Sequence, residues 1–218
     1  MKNARQAYFR DMIEPYAPLE PDKRRPSPTY LVNKLRKAVH EWREKGYPNI
    51  TDTTRRLLQY WFYDDCLVGD EPFHFWFCQR DAIETLIYVY EVMKKRDFMD
   101  MARDFRAGPI RDYDPSYGQY PLYAFKMATG SGKTFVMTLT IVWSYLNWLR
   151  ENKNNYTSKF LIIAGEKNVI YERLTRDFKD GEIFKKWKFV PPEWEEDFNM
   201  KVILKEDPIH VIPDAVIT

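Results

Sequence analysis

The sequence predicts an α/β fold: a parallel sheet with helices on both faces, preceded by a small helical region. Four short, mainly apolar runs have the length of buried strands, namely residues 122–127, 159–164, 200–204 and 215–218. A glycine-rich turn and a long apolar helical pattern follow the first run, and another helical pattern follows the second run. This alternation of strand and helix is typical of a doubly wound sheet with right-handed crossovers.

The composition favours a globular protein and argues against several other classes. The chain has 218 residues, of which 44% are hydrophobic and 30% are charged, so it can bury a sizeable core. The formal net charge is only +2, so any DNA contact has to come from local basic patches. Cys66 and Cys78 have neither metal-site spacing nor a disulfide framework. The N-terminus lacks an apolar signal core, and no run approaches 18 apolar residues. We therefore expect a cytoplasmic protein with no membrane partner.

Residues 1–70 are predicted to form an N-terminal arm and helical region, ahead of the α/β domain over residues 71–218. A short helix is expected around residues 7–13, and the prolines that follow it forbid a continuous helix. The basic triplet at residues 23–25 is either solvated surface or a nucleic-acid contact.

Two helices are predicted next. Apolar residues recur at helical spacing from Leu31, and Gly46 is a natural residue to end that helix. Thr51 or Asp52 then caps a second helix. Its buried side is predicted to consist of Leu57, Leu58, Trp61 and Phe62. The two helices form either a packing appendage or a helix-turn-helix DNA-binding unit.

Gln79 stands at the start of a further helix, predicted from about Arg80 to Lys95. An amide at this position either caps the helix or binds adenine, because the N6 amino group and N7 of adenine match the acceptor and the donor of a glutamine. A nearby aromatic ring would stack on the base, and the candidates are Phe73, Phe75 and Phe77. A polar, turn-rich loop is expected over residues 108–121.

The glycine-rich turn over residues 128–134 has the chemistry of a phosphate-binding loop. Gly130 and Gly132 allow backbone N–H groups of the turn to point inward, and the helix that follows adds the partial positive charge of its N-terminus. Lys133 would contact the β- and γ-phosphates, and the Thr134 hydroxyl would bind Mg²⁺. The alternative is a glycine-rich turn that binds nothing. The motif predicts ATP and Mg²⁺ as cofactors and makes adenine contact the favoured role of Gln79. The predicted nucleotide ligands are Gln79, Thr129, Gly130, Ser131, Gly132, Lys133 and Thr134, with Lys133 and Thr134 also catalytic and Thr134 also the metal ligand.

The elements after this turn complete the predicted domain. A helix from Lys133 to about Arg150 is apolar nearly all round, as expected for a helix that is packed on a sheet and also covered from outside. The next helix places Ile170, Leu174 and Phe178 on one ridge. Residues 180–198 are predicted to be an excursion between core elements.

Several segments, taken together and in order, resemble a known family. The turn at residues 128–134 is similar to the first motif of superfamily 2 helicases and translocases. The segments that resemble DEAD/DEAH-box proteins related to the Res subunit of type III restriction enzymes are residues 39–48, 54–58, 77–87 and 126–134. The likeness continues through residues 160–163 and 170–174 to residues 190–194, so it covers most of the chain from about residue 30.

The resemblance implies a RecA-like P-loop NTPase fold and a motor that couples ATP binding and hydrolysis to movement on duplex DNA. It implies that Gln79 contacts adenine, that Lys133 holds phosphate and that Thr134 holds magnesium. Residues 165–173 match the motif that contacts the nucleic-acid backbone in such motors. The implied partners are DNA, a second RecA-like lobe in the same or a partner chain, and a modification or specificity subunit.

One departure from the family pattern concerns the acidic pair that holds Mg²⁺ and orients the attacking water. Glu206 and Asp207 follow a predicted strand, but Pro208 and the register argue against them, and residues 70–71 precede the loop. We therefore expect the N-terminal part of a longer motor, with a first RecA-like lobe that is incomplete at its C-terminus and hydrolyses ATP weakly or not at all. The alternatives are a non-hydrolysing nucleotide-binding or assembly module completed by a partner chain, and a P-loop kinase, for which no arginine-bearing lid is visible.

Overall fold

The computed structural model describes residues 20–95, 98–105, 121–164, 168–204, 207 and 213–218. These residues form two compact units, each assembled from two stretches of the chain. The first unit takes its residues from Met1–Ile50 and Phe75–Ser131, and the second from Thr51–His74 and Gly132–Thr218.

Helices dominate the described residues. In chain order they are α1 (Tyr30–Glu44), α2 (Asp52–Phe62), α3 (Phe77–Ile87), α4 (Phe98–Asp104), α5 (Lys133–Arg150), α6 (Asn168–Phe178) and α7 (Glu182–Lys186). A π-helical turn over Tyr88–Val92 continues α3, and 3₁₀ turns lie at Pro21–Lys23, Lys179–Gly181 and Pro192–Trp194. The strands are β1 (Cys66–Val68), β2 (Glu71–Phe73), β3 (Lys159–Phe160), β4 (Lys201–Val202) and β5 (Val216–Ile217). Within this described part of the chain, no helix combines the length and the apolar character that crossing a membrane requires.

The regular structure in the described part of the first unit is helical, and its core lies between α1 and α3. Val39 and Trp42 of α1 are buried, as are Ile83 and Ile87 of α3. The helix α1 ends where the sequence predicts, because Gly46 takes a φ of 73° and its N–H donates to the Arg43 carbonyl at 2.9 Å. A left-handed glycine of this kind satisfies a carbonyl at the end of a helix without the steric cost that a side chain would bring.

The second unit contains a parallel sheet of three strands in the order β3-β5-β4. Val216 of β5 is in register with Lys159 on one side and with Lys201 on the other. The pairing extends beyond the regular strands, since the Ile162 N–H donates to the Thr218 carbonyl at 2.7 Å. The prediction of an α/β fold with parallel strands is confirmed here, and three of the four predicted strands are present in shorter form.

In the same unit, α2 packs on the second half of α5 through a buried hydrogen-bond network. The Thr51 hydroxyl caps α2 by accepting the Thr54 N–H at 3.0 Å, as predicted. Asn147 of α5 is fully buried, accepts from the Thr51 hydroxyl at 2.6 Å and donates to the Thr54 hydroxyl at 3.0 Å. Trp143 also donates to Thr54, at 3.0 Å. Paired polar groups of this kind can lie in a core without the cost of lost hydration.

The prediction of a strand at residues 122–127 is wrong, because residues 121–128 have no regular secondary structure. Leu122 is 73% exposed and Phe125 is 41% exposed. A strand requires a neighbour for its backbone N–H and C=O groups, and the described part of the first unit contains no other strand to pair with. A further difference is the antiparallel hairpin of β1 and β2, which the sequence analysis did not predict.

Two helix boundaries differ from prediction, and some predictions lie outside the described residues. The helix α3 begins at Phe77 rather than near Arg80, and its π-helical continuation ends at Val92. The helix predicted around residues 7–13, most of the loop at residues 108–121 and the turn at residues 165–167 fall in stretches that the structure does not describe.

Candidate nucleotide site

Both glycines of the glycine-rich turn have a left-handed backbone conformation. Gly130 has a φ of 81° and Gly132 a φ of 77°, a region that residues with a side chain adopt only at a cost. The Ser131 hydroxyl donates to the Ala128 carbonyl at 2.7 Å, and the Ser131 N–H donates to the same oxygen at 3.4 Å. Thr129 and Gly130 are exposed, so the tip of the turn is open to solvent.

The helix α5 begins directly after this turn. Gly132 is its N-cap, and the Gly132 carbonyl accepts the N–H groups of Phe135 at 2.9 Å and Val136 at 3.2 Å. Lys133 is exposed and Thr134 is half-buried at the start of the helix. The first turn of any helix has N–H groups without an intrahelical acceptor and carries the positive end of the helix dipole. This end of α5 is therefore suited to an anion.

In the first unit, the structure brings Gln79 to the glycine-rich turn. Gln79 is only 4% exposed, and its amide makes two hydrogen bonds. Its oxygen accepts the Trp76 N–H at 2.9 Å, which caps the start of α3, and its nitrogen donates to the Ser131 carbonyl at 3.2 Å. The helix-capping alternative for Gln79 is thus confirmed. A glutamine amide has two N–H groups and two lone pairs, so these bonds leave one donor and one acceptor, the pair that adenine requires.

A thiol also approaches the Ser131 carbonyl. The Cys78 thiol donates to this oxygen at 3.9 Å, a long contact that sulfur allows. Desolvation by neighbouring atoms raises the pKa of the Cys78 thiol above its usual value. Cys78 therefore remains a neutral, weakly donating thiol at pH 7.

The aromatic residues around α3 are placed differently from the prediction. Phe75 and Phe77 are buried, and the Arg24 guanidinium covers the Phe77 ring at 5.0 Å. Phe73 belongs to the second unit, where its ring packs on Trp187 at 5.4 Å. Trp76, which the sequence analysis did not name as a site residue, is 49% exposed. Its position three residues before Gln79, the spacing between a helix N-cap and its capping side chain, could have indicated that it lies next to Gln79.

The central residue of the basic triplet joins the described segment at residues 20–24 to α3. Arg24 makes a bidentate ion pair with Asp81, with N–O distances of 3.1 and 2.8 Å. A planar guanidinium is well matched to a carboxylate in this geometry. Because this charge is neutralised inside the first unit, Arg24 is a poor candidate for a nucleic-acid contact.

A buried ionic cluster fixes α3 against α1. The Glu84 carboxylate is 0% exposed and accepts from Arg80 at 2.7 Å, from the Tyr47 hydroxyl at 2.6 Å and from Arg43 Nε at 2.9 Å. A second nitrogen of Arg43 also binds it. Burial lowers the pKa of Arg43, but the hydrogen bond and the charge of Glu84 outweigh that effect, and the pKa is raised overall. The cluster thus keeps the helix that carries Gln79 in one position.

The acidic residues considered for hydrolysis are not assembled into a metal site. Asp70 and Glu71 lie at the exposed β1–β2 hairpin of the second unit. The Asp207 carboxylate accepts the Leu204 N–H at 2.8 Å in a local turn after β4, and Glu206 lies outside the described residues. In the ranges that the structure describes, no three His, Cys, Asp or Glu side chains are grouped so that they could hold a metal ion.

Comparison with known families gives one result. A model of the type III restriction enzyme, Res subunit, matches residues 76–212, which is more than half of the chain and includes Gln79, the glycine-rich turn and α5. Neither the curated proteins nor the solved structures contain a significant match. The resemblance predicted from the sequence is therefore confirmed, and the chain belongs to the family of the type III restriction enzyme Res subunit, within helicase superfamily 2.

Proposed function

We propose that this chain is the ATP-binding lobe of a DNA translocase or helicase of the type III restriction kind. Its family supports a helicase-like, nucleotide-binding domain. The observation that carries the proposal is the turn before α5: Gly130 and Gly132 are both left-handed, and the helix begins at Lys133 without an intervening residue. A RecA-like arrangement of this lobe is part of the proposal.

The phosphates would be held by the turn and by the start of α5. Backbone N–H groups of Thr129, Gly130 and Gly132 would surround them, and the Ser131 N–H would join them by leaving its 3.4 Å bond to the Ala128 carbonyl. A Cβ atom at Gly130 would meet no atom within 4 Å, so the approach is open. The ammonium of Lys133 would neutralise charge on the β- and γ-phosphates. The Thr134 hydroxyl would be a protein ligand of Mg²⁺, which usually keeps water and phosphate oxygens as its other ligands.

Adenine would be recognised by Gln79. Its remaining N–H and lone pair suit N7 and the N6 amino group, while its bond to the Ser131 carbonyl links the amide to the turn. In the intact motor, ATP binding and hydrolysis would drive movement on duplex DNA, together with a second RecA-like lobe in the same or a partner chain. A modification or specificity subunit is a further proposed partner.

A second candidate is a nucleotide-binding or assembly module that does not hydrolyse ATP. One observation favours it. The Asp207 carboxylate, which the sequence analysis considered for the hydrolytic acidic pair, accepts a hydrogen bond from the Leu204 N–H. Both candidates require nucleotide at the same turn, but they differ in whether nucleotide changes DNA binding.

DNA binding measured with and without nucleotide separates the two candidates. Fluorescence anisotropy of a labelled DNA duplex is titrated with the wild-type chain, Lys133→Ala and Lys126→Ala, each with and without MgATP. Lys126 is an exposed lysine shortly before the turn and provides the matched control. For a motor lobe, we expect MgATP to change duplex affinity in the wild type and in Lys126→Ala but not in Lys133→Ala. Duplex affinity that is independent of MgATP in all three proteins would refute the motor-lobe function.

A further inference from the structure

We propose that Arg25 and Arg36 form a surface that contacts the phosphate backbone of duplex DNA. The inference rests on the proposed function, because DNA is the partner proposed there, and it adds the place on the chain where that partner is held. Both arginines lie in the first unit and precede residues 76–212, the part of the chain that the family model matches. The surface is therefore an addition to what the family match supports.

Arg36 lies beside the segment that carries Arg24 and Arg25. It belongs to α1, and its Nη1 donates to the Arg25 carbonyl in a long hydrogen bond of 3.5 Å. On the other side of the same segment, Arg24 makes its bidentate ion pair with Asp81 of α3. The segment, α1 and α3 all belong to the first unit, so the arrangement is fixed within one compact body.

These arginines have fewer carboxylates than guanidinium groups. Both oxygens of Asp81 are bound by Arg24. No carboxylate in the described ranges forms an ion pair with Arg25 or Arg36, and this includes the two acidic residues of the same segment. Two of the three guanidinium groups are thus left without an anion of their own.

The charge of Arg36 is disfavoured by its surroundings. Burial lowers the pKa of Arg36, the positive charge of Arg24 lowers it further, and the negative charge of Asp81 offsets only part of these effects. A guanidinium nevertheless stays protonated at pH 7. The free protein therefore keeps a positive charge at an unfavourable place, and an anion bound beside Arg36 would relieve the repulsion.

The available donors suit a phosphodiester. Arg36 uses one of its five N–H groups on the Arg25 carbonyl, and the Arg25 side chain is exposed. The planar fork of a guanidinium matches two oxygens of one phosphate. Lys37, the next residue of α1, is also exposed and adds positive charge. Because a duplex carries closely spaced phosphates, separate cations of one surface can each contact one of them.

The salt dependence of duplex binding tests this surface. Fluorescence anisotropy of a labelled duplex is measured without nucleotide at several salt concentrations, on the wild type and on four variants. These variants are Arg25→Gln, Arg36→Gln, Arg36→Lys and Arg103→Gln. Arg103 is an exposed arginine of the first unit whose guanidinium is paired with Asp100 at 3.0 Å, and it provides the matched control.

Each lost phosphate contact has an expected size. In Arg25→Gln and in Arg36→Gln, the slope of log affinity against log salt should fall by about 0.9, and affinity at about 0.1 M salt should weaken roughly tenfold. Arg36→Lys retains the charge but not the planar fork, so its slope should be unchanged while its affinity falls less. Arg103→Gln should leave both the slope and the affinity unchanged.

Three results would overturn the inference. They are an unchanged slope in Arg25→Gln or Arg36→Gln, an equal change in Arg103→Gln, and competition by poly-glutamate as strong as that by unlabelled duplex. The last result would indicate an acidic protein as the partner. If the slope falls in the arginine variants but duplex affinity is independent of MgATP, only the motor-lobe function fails. If MgATP changes duplex affinity but the slope stays constant, only the surface fails.

Stability provides a second readout, because a purely structural role and a binding role predict opposite changes. The charge of Arg36 is disfavoured in the free protein, so Arg36→Gln should unfold in urea at a midpoint equal to or above that of the wild type at low salt. Duplex affinity should fall in the same variant. A lower midpoint would show that Arg36 serves to hold the segment on α1, and it would overturn the inference.

Discussion

Neutralising Glu84 should destabilise the first unit more than any exposed charge change. The Glu84→Gln substitution keeps the shape of the side chain but removes the negative charge that Arg43 and Arg80 share. Both buried guanidinium groups would then lose the carboxylate that they bind in the wild type, and the amide nitrogen that replaces one oxygen would face donors.

The magnitude follows from the burial of the cluster. Breaking a buried ion pair by removing one partner costs about 3–5 kcal/mol. Glu84 is completely buried and has two cationic partners, which argues for the upper part of this range, whereas the remaining amide oxygen still accepts a hydrogen bond, which argues for the lower part. We expect a loss of about 4 kcal/mol, a large share of the roughly 5–15 kcal/mol that stabilises a typical domain.

Urea unfolding followed by far-UV circular dichroism measures this loss. The same chemical change at Glu44, an exposed residue at the end of α1, provides the control and should alter the free energy of unfolding by less than about 0.5 kcal/mol. A Glu84→Gln protein that stays within about 1 kcal/mol of the wild type, with an unchanged m-value, would refute the assigned role of the cluster.

Three further predictions concern other parts of the structure. Asn147→Ala removes buried hydrogen bonds between α5 and α2 and should lower the free energy of unfolding by about 2–3 kcal/mol in urea titrations. Asn154→Ala, at an exposed site, should leave the free energy of unfolding unchanged. Equal losses in the two variants would contradict the role of the network. A hydrogen bond from Gln59 and the guanidinium of Arg56 lower the pKa of Asp64 in the folded state. The ion pair of Asp64 with Arg56 therefore stabilises the fold fully above the pKa of an unfolded aspartate. This stabilisation is lost as the pH falls through the lower folded-state pKa. Arg56→Gln should therefore cost about 0.5 kcal/mol at pH 7 and less at about pH 3, and a pH-independent cost would contradict the pairing. Because the pKa of Cys78 is raised, its alkylation by iodoacetamide, followed by mass spectrometry, should be slow at pH 7 and accelerate above about pH 9; fast labelling at pH 7 would indicate a thiolate.

Local signals account for the parts of the fold that the sequence predicts well. The helix α5 has the predicted bounds, from Lys133 to Arg150, because a glycine turn precedes it and apolar residues recur along its whole length. Thr51 caps α2 as predicted, since an N-cap hydroxyl acts within one turn of its own helix. These features depend on residues close together in the chain.

Features that depend on distant partners were not predictable in the same way. The run at residues 122–127 has the composition of a strand, but strand formation needs a hydrogen-bonding neighbour that composition does not reveal. The bond between Gln79 and the Ser131 carbonyl joins residues far apart in the chain. The ionic cluster around Glu84 likewise depends on how α1 meets α3, so a glutamate in a helical pattern would be expected on the surface.

The most direct test of nucleotide binding at the turn is a calorimetric titration with MgATP. Wild type, Lys133→Ala and Lys126→Ala are titrated under the same conditions, and the heat yields affinity and stoichiometry. We predict one site per chain in the wild type, the same affinity in Lys126→Ala, and a weakening of at least about tenfold in Lys133→Ala, as expected for the loss of a charged contact to phosphate. Absence of binding in the wild type, or an affinity unchanged by Lys133→Ala, would contradict the assignment of this turn as the phosphate site.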